Sequence, residues 1–199
     1  MAEPMTRTGI TAEEYLELER AAEDRHELLD GEMFAMAGGT EEHSLIGANI
    51  CSELRAALRS KPCKVFTSDM RIRIEAMSRY TYADVTVVCG PSLFVDEKRD
   101  ILLNPTAIFE VLSDSTESYD RGEKFAGYRT LPSLQEYVLA SQKRELVEHF
   151  HRQADGSWLL RVCGAGESVS LPSLACELAV DEIYLKVFAE LREVSPGAS

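Results

Sequence analysis

The sequence predicts an α/β fold: a central mixed β-sheet with a helix on each face, an N-terminal hairpin and a C-terminal antiparallel β extension. Three observations predict it. A long amphipathic segment, about 41–59, carries Ile46, Ile50, Leu54, Ala57 and Leu58 at helical spacing. Strand-like runs follow, and the run 105–112 is apolar on both faces except at Glu110, as a central strand requires. A polar elbow, SDSTESYD, then opens a second helical run, and three further strand-like runs come after it.

Taken in order, Thr11 caps a helix to Arg20, with Glu13 and Glu14 in its first turn. Asp30-Gly31 is the turn of a hairpin within HELLDGEMFAMAGG. Gly38-Gly39 ends it, Thr40 caps the 41–59 helix, and Pro62 stops that helix. His43 and Gly47 fall on its apolar face, whereas Glu42 points sideways. CKVFTSDMRIRIEA alternates and reads as one strand, with Met70, Ile72 and Ile74 on one side and Asp69, Arg71 and Arg73 on the other. MSRYTYA reads as a turn, and Asp84 opens the strand DVTVVC, which ends at Gly90-Pro91. The charged run 92–105 reads as an exposed loop. Ser115 or Thr116 caps the second helix, which places Asp120, Lys124 and Tyr128 on one face and ends at Leu131-Pro132. QEYVLA, ELVEHFHR and SWLLRVC read as antiparallel strands, and 171–192 as a strand-to-helix closing segment.

Composition bounds the function. A length of 199 residues suits one domain, expected over 11–193, with flexible ends at 1–10 and 194–199. No run is apolar and long enough for a membrane span, and MAEPMTRTGI lacks the core of a secretory signal. The five cysteines are scattered and form no CxxC pair, which predicts free thiols and a cytoplasmic chain. A net charge of −13 argues against tight nonspecific binding to duplex DNA, although bound cations and a local basic patch can override the global sign.

The chemistry concentrates in 82–128. Glu110 lies between Phe109 and Val111, and a carboxylate buried there needs a cation. Strand alternation puts Ile108, Glu110 and Leu112 on one face, and Asp84 opens a neighbouring strand at the sheet rim. Two nearby carboxylates repel unless a divalent cation lies between them, and Mg²⁺ takes one or two carboxylates with water and phosphate oxygens. The competing reading pairs Glu110 with Arg71, Arg73 or Lys124 as a structural ion pair. Lys124 completes the parts of a metal-dependent phosphodiesterase, or is a solvated helix lysine beside Asp120. His43 is either a site residue or a hydrogen-bonded core histidine. Asp69, Arg71 and Arg73 line a phosphate groove or face water. Tyr128 reads as packing, Trp158 as core or interface, and His149 and His151 as neighbours on an exposed strand with too few ligands for a metal.

The stretches HELLDGEMFAMAGGTEEHSLIGANI, TSDMRIRI, YADVTVV, NPTAIFEVLSDSTESYDRGEKFAGYR and LPSLQEYVLASQ resemble the Uma-type restriction endonuclease family of bacteria, within the PD-(D/E)XK nuclease superfamily. The resemblance covers most of 15–150 and implies a restriction-endonuclease-like fold. It implies Asp84 and Glu110 as ligands of Mg²⁺ or Mn²⁺, Lys124 as the group that stabilises phosphate charge, and His43 as an accessory residue. Ala83 stands where the motif has Pro, and Leu112 where it has Lys. Lys124 replaces that Lys only if its helix crosses the sheet rim, since a lysine stem reaches ~6 Å. The implied activity is metal-dependent hydrolysis of nucleic acid, DNA above all, by a homodimer. The competing function is a nonenzymatic binding or regulatory module on the same fold. A third is a nuclease for small or single-stranded substrates.

Overall fold

The structure is a computed structural model describing residues 8–36 and 38–188. Of the flexible ends expected at 1–10 and 194–199, residues 1–7 and 194–199 lie outside it, as does the end of the closing segment beyond 188.

Thr11 caps α1 (Ala12–Ala21). Its hydroxyl accepts the Glu14 N–H, and the Glu14 carboxylate accepts the Thr11 N–H in return. β1 (His26–Leu29) and β2 (Glu32–Ala35) form the expected hairpin. Asp30 and Gly31 both take positive φ, 50° and 83°, as a two-residue turn between twisted strands requires. α2 (Glu41–Ala57) starts at Thr40 and buries Ile46, Ile50 and Leu54.

The run 63–76 is two strands, not one. β3 (Cys63–Thr67) and β4 (Arg71–Ile74) lie in different sheets. A turn closed by the Met70 N–H on the Thr67 carbonyl separates them. Alternation continues through that turn, so periodicity does not reveal it, whereas Ser68-Asp69 is turn chemistry. The stretch expected as a turn after Ile74 contains a 3₁₀ turn (Glu75–Met77) and then β5 (Arg79–Tyr82). The expected loop 92–105 holds β7 (Ile101–Leu102), both residues fully buried. β6 (Val85–Cys89) and β8 (Ala107–Leu112) are as expected.

Helix α3 (Glu117–Tyr119), a π-helical segment (Asp120–Lys124) and α4 (Phe125–Tyr128) run end to end. β9 (Glu136–Ser141), β10 (Leu146–Arg152) and β11 (Trp158–Gly164) are antiparallel to one another in sequence order. β9 also pairs parallel with β8, so the three strands extend the central sheet. β12 (Ser168–Leu171), β13 (Cys176–Ala179) and α5 (Val180–Ile183) close the described chain.

Two large sheets result, with orders β2-β1-β5-β4-β7 and β11-β10-β9-β8-β6-β3, beside the two-stranded β12–β13 hairpin. The larger carries a helix on each face. Phe109, Val111, Val138 and Val147 pack under α2 and the β12–β13 hairpin. Ile108, Leu112, Tyr137 and Leu139 pack with Phe125 and Tyr128 and with Ile72 and Ile74 of the smaller sheet. α1 covers the other side of the smaller sheet through Tyr15, Leu28 and Tyr80. Only Ala83 and Asp84 separate β5 of one sheet from β6 of the other, so Asp84 stands where the two sheets meet.

The expectation of five free thiols is corrected: Cys63 and Cys89 are disulfide-bonded. They are facing register partners of β3 and β6, 26 residues apart, so only strand pairing brings them together. Cys51, Cys163 and Cys176 remain free.

Candidate metal-dependent hydrolytic site

Glu110 is buried on β8, as its apolar neighbours dictate, and its partner is Lys124. The Lys124 Nζ lies 3.0 Å from Glu110 Oε1, and the Tyr128 hydroxyl donates to the same oxygen at 3.1 Å. Lys124 is also 3.5 Å from Asp120 Oδ1 and 3.5 Å from Glu27 Oε1. The helix therefore does cross the sheet rim. Only 7 % of Lys124 is exposed, so it is no solvated surface lysine. Its π-helical turn is a winding that recurs where a helix must aim several side chains at one point.

Continuing the β6–β8 register from Val85↔Phe109 puts Asp84 opposite Glu110. Cβ atoms of facing residues stand roughly 5 Å apart. Asp84 Oδ2 accepts the Val111 N–H at 2.7 Å, which fixes the carboxylate to the next residue of β8. From α2, His43 Nε2 reaches to 3.5 Å from Asp84 Oδ2. That ring needs the glycine turn before the helix. A Cβ on Gly39 would lie 2.8 Å from His43 Nδ1. Asp84 and His43 keep 20 % and 23 % of their side-chain surface exposed, so the group opens to solvent on their side.

The electrostatics call for a cation. Burial pushes the Glu110 carboxyl well above the usual carboxylate range, and the charges of Asp120 and Asp84 add to the rise against the pull of Lys124. Burial likewise raises Asp120. Burial alone would lower Lys124, but Glu110 and Glu27 outweigh it and hold the ammonium protonated. One ammonium thus faces the carboxylates of Glu27, Glu110 and Asp120, with Asp84 opposite Glu110. A surplus of buried oxygen donors of this kind fits a hard divalent ion.

Glu27 has no counterpart in the sequence reading. It accepts bonds from the Thr81 hydroxyl, the Tyr82 N–H and the Tyr119 hydroxyl, from two elements far apart in sequence. Its only local signal is its parity opposite Leu28, which reads as an ordinary outward residue. Other expectations are corrected. Arg71 is buried under α1, donating to the Tyr82 hydroxyl near Glu19, and lies outside any groove. Arg73 stacks over Tyr80 and pairs with Glu75, and Asp69 pairs with Arg25. The structural partner of Glu110 is accordingly neither arginine. Tyr128 is fully buried and bonds Glu110 as well as packing. His149 is buried rather than exposed, and both histidines bond Glu136. Trp158 packs edge-on against Phe125 in the core.

The group lies in a cleft of about 2000 Å³ that runs between α2, the β1–β2 hairpin and the 113–124 segment. Arg25, Arg55, Arg59 and Lys64 line its length, with Arg55 exposed on α2 and Arg59 exposed in the turn that follows it. Glu27, Asp84, Glu110, Asp114, Asp120 and Glu123 line the same cleft, so its walls carry both signs.

Comparisons with known proteins agree with this architecture. A "putative nuclease belonging to DUF820" from Anabaena variabilis has a similar crystal structure, with a TM-score of 0.74 at 18 % identity, over 89 % of this chain and 99 % of that one. Its similarity shows the fold, a nuclease-type mixed sheet flanked by helices. Uncharacterized protein slr1290 of Synechocystis is 37 % identical over 176 residues, 88 % of this chain and 91 % of that protein. Uncharacterized protein sll1609 of the same organism is 37 % identical over 151 residues, 76 % and 85 % respectively. The profile of the Uma2 family, described as "Putative restriction endonuclease", matches residues 12–182. By fold and by the reach of that match, the chain belongs to the Uma2 family of restriction-endonuclease-like proteins.

Proposed function

We propose that the protein is a Mg²⁺- or Mn²⁺-dependent endonuclease that hydrolyses phosphodiester bonds in DNA. The observation that carries this is the convergence of Asp84, Glu110 and Lys124 in one cleft whose walls carry Arg25, Arg55, Arg59 and Lys64. Asp84 and Glu110 would hold the ion, with Asp120 and Glu27 behind them. The ion supplies charge stabilisation at the phosphoryl oxygens and a more acidic water. The residues do the rest. Lys124 is kept protonated by its carboxylates and places a fixed positive charge beside the reacting phosphate. His43 stands at the open side, next to Asp84, where it can orient or accept a proton from water. Burial of Glu110, Lys124 and Tyr128 keeps bulk water off the inner side. Arg55 of α2 and Arg59 just beyond it meet the phosphate backbone.

The site's location and a homodimer complete the proposal. Two copies would pair active sites across two strands, and the edge strand β11 exposes Leu159, Leu160 and Val162 as a surface for that pairing. Sedimentation of the full chain tests it. The proposed setting is the cytoplasm; separately, no helix among the described residues is long and apolar enough to cross a membrane.

A second reading, a nonenzymatic binding or regulatory module on the same fold, is favoured by two observations. Lys124 is held by three carboxylates, and the net charge is −13. Incubation with plasmid, single-stranded DNA and RNA, with Mg²⁺, Mn²⁺ or chelator, separates the two. The nuclease reading expects metal-dependent cleavage of DNA that Asp84→Ala and Glu110→Ala both abolish. Cleavage that survives both substitutions would sink the assignment. Binding without cleavage by folded wild-type protein would favour the second reading.

A further inference from the structure

On the opposite face of the larger sheet, three ligating groups meet. Glu136 opens β9, and His149 and His151 lie two apart on β10. Pleating puts both imidazoles on the side of Val147, under the β12–β13 hairpin, and the register sets His151 directly opposite Glu136. Glu110 faces the other side of the same sheet, three positions further along β8 in register, or about 10 Å. The two clusters are therefore separate.

The geometry is close. Glu136 Oε2 is 2.6 Å from His149 Nε2 and 2.9 Å from His151 Nδ1, and the three ligand atoms all lie within 4.8 Å of one another. Zn–N and Zn–O bonds of about 2.0–2.1 Å set neighbouring ligand atoms of a tetrahedron about 3.3 Å apart. The two carboxylate–imidazole contacts need to lengthen by only about 0.7 and 0.4 Å to match that spacing. The second carboxylate oxygen is already held, since the Ser173 N–H donates to Glu136 Oε1 at 2.8 Å. Such an outer bond orients a ligating carboxylate. Glu136 is fully buried, which favours full neutralisation of its charge. His151 keeps 26 % of its side-chain surface exposed, leaving a route for an ion and a water as fourth ligand.

We infer that Glu136, His149 and His151 form a second metal site that takes a borderline transition ion, Zn²⁺ above all. Two imidazoles with one carboxylate suit Zn²⁺ or Co²⁺ and do not suit Mg²⁺, which prefers oxygen ligands throughout. Bound there, the ion clamps β9 and β10 to the 172–174 turn. The inference does not rest on the nuclease reading.

The test uses the full-length chain without a polyhistidine tag, stripped by chelation. It is titrated with Zn²⁺ by calorimetry and with Co²⁺ by visible absorption. The expected result is one equivalent that Asp84→Ala retains, with the intense visible bands of four-coordinate Co²⁺. His151→Ala, at a partly exposed position, is expected to keep its circular dichroism and to weaken that equivalent at least tenfold. Glu136→Gln should do the same. Absence of binding in the wild type, or an equivalent unchanged by His151→Ala, would overturn the site and leave the cluster a hydrogen-bonded knot.

Discussion

Lys124 is the residue on which the proposed site depends most. Its ammonium is the only cation reaching Glu27, Glu110 and Asp120 among the described residues. Removing one partner of a buried charged group leaves the others uncompensated. Lys124→Ala is therefore expected to cost about 3–5 kcal/mol in chelator, read from denaturant unfolding. A loss under about 1 kcal/mol would mean that the carboxylates are already neutral or hydrated. Gly39 makes a sharper point. A methyl there collides with the His43 ring while leaving both caps and core intact. Gly39→Ala should lower cleavage by about as much as His43→Ala, on the order of tenfold or more, with little loss of stability. Equal rates for Gly39→Ala and wild type would show that His43 has no defined place in the chemistry. Glu110 is legible in the sequence because an acid inside an apolar run demands a partner. Glu27 is not, since its partners come from β5 and α3 and only the fold assembles them.

At the scale of elements, the helical segment 117–128 was readable in kind but not in winding. The spacing of Asp120, Lys124 and Tyr128 predicted one face, and all three do point at or around Glu110. The π-turn depends on packing between two sheets and leaves no sequence mark. The split of 63–76 escaped for a related reason, because both halves keep the same parity across the turn. Strand β7 escaped because two residues carry no period; it is fixed by parallel pairing with β4, and α1 ties down the loop before it. Arg20 there bonds Asp100 at 2.9 Å and Asp96 at 2.8 Å. Those bonds hold both carboxyls below the usual range. A depressed folded-state value gives stability that is complete above the ordinary aspartate pKa of about 3.9 and is lost as pH falls through the depressed value. Asp100→Asn should thus cost up to about 1 kcal/mol at neutral pH and progressively less as acid protonates the carboxyl. A deficit that persists at low pH would mean that the aspartate contributes through shape rather than charge.

For the whole molecule, the arrangement of two sheets around Asp84 explains why so few sequence motifs carry so much of the site. The central strands of the larger sheet and its two helical faces were legible from periodicity, whereas its strand order was not. Nor was the second sheet, because β4, β5 and β7 are short and the β1–β5 and β4–β7 pairings join distant segments. It brings Glu27 to the cleft and turns Arg71 away from it. A site with surplus buried carboxylates should be stabilised by the ion that neutralises them. Mg²⁺ or Mn²⁺ near 100 times its dissociation constant is expected to add about 2.7 kcal/mol, seen as a rise of several degrees in Tm that Asp84→Ala abolishes. An unchanged Tm at saturating metal would separate the acid cluster from any ion.

The central claim is that these acids and Lys124 form a metal-dependent hydrolytic centre. The most direct measurement is the Mn²⁺-dependent nicking rate of supercoiled plasmid by wild type, Asp84→Asn and Glu110→Gln, each shown to be folded. The account predicts cleavage by the wild type that needs the ion and falls by at least a hundredfold in both neutral variants. Equal rates in all three, or no cleavage by folded wild-type protein at any metal concentration, would contradict it.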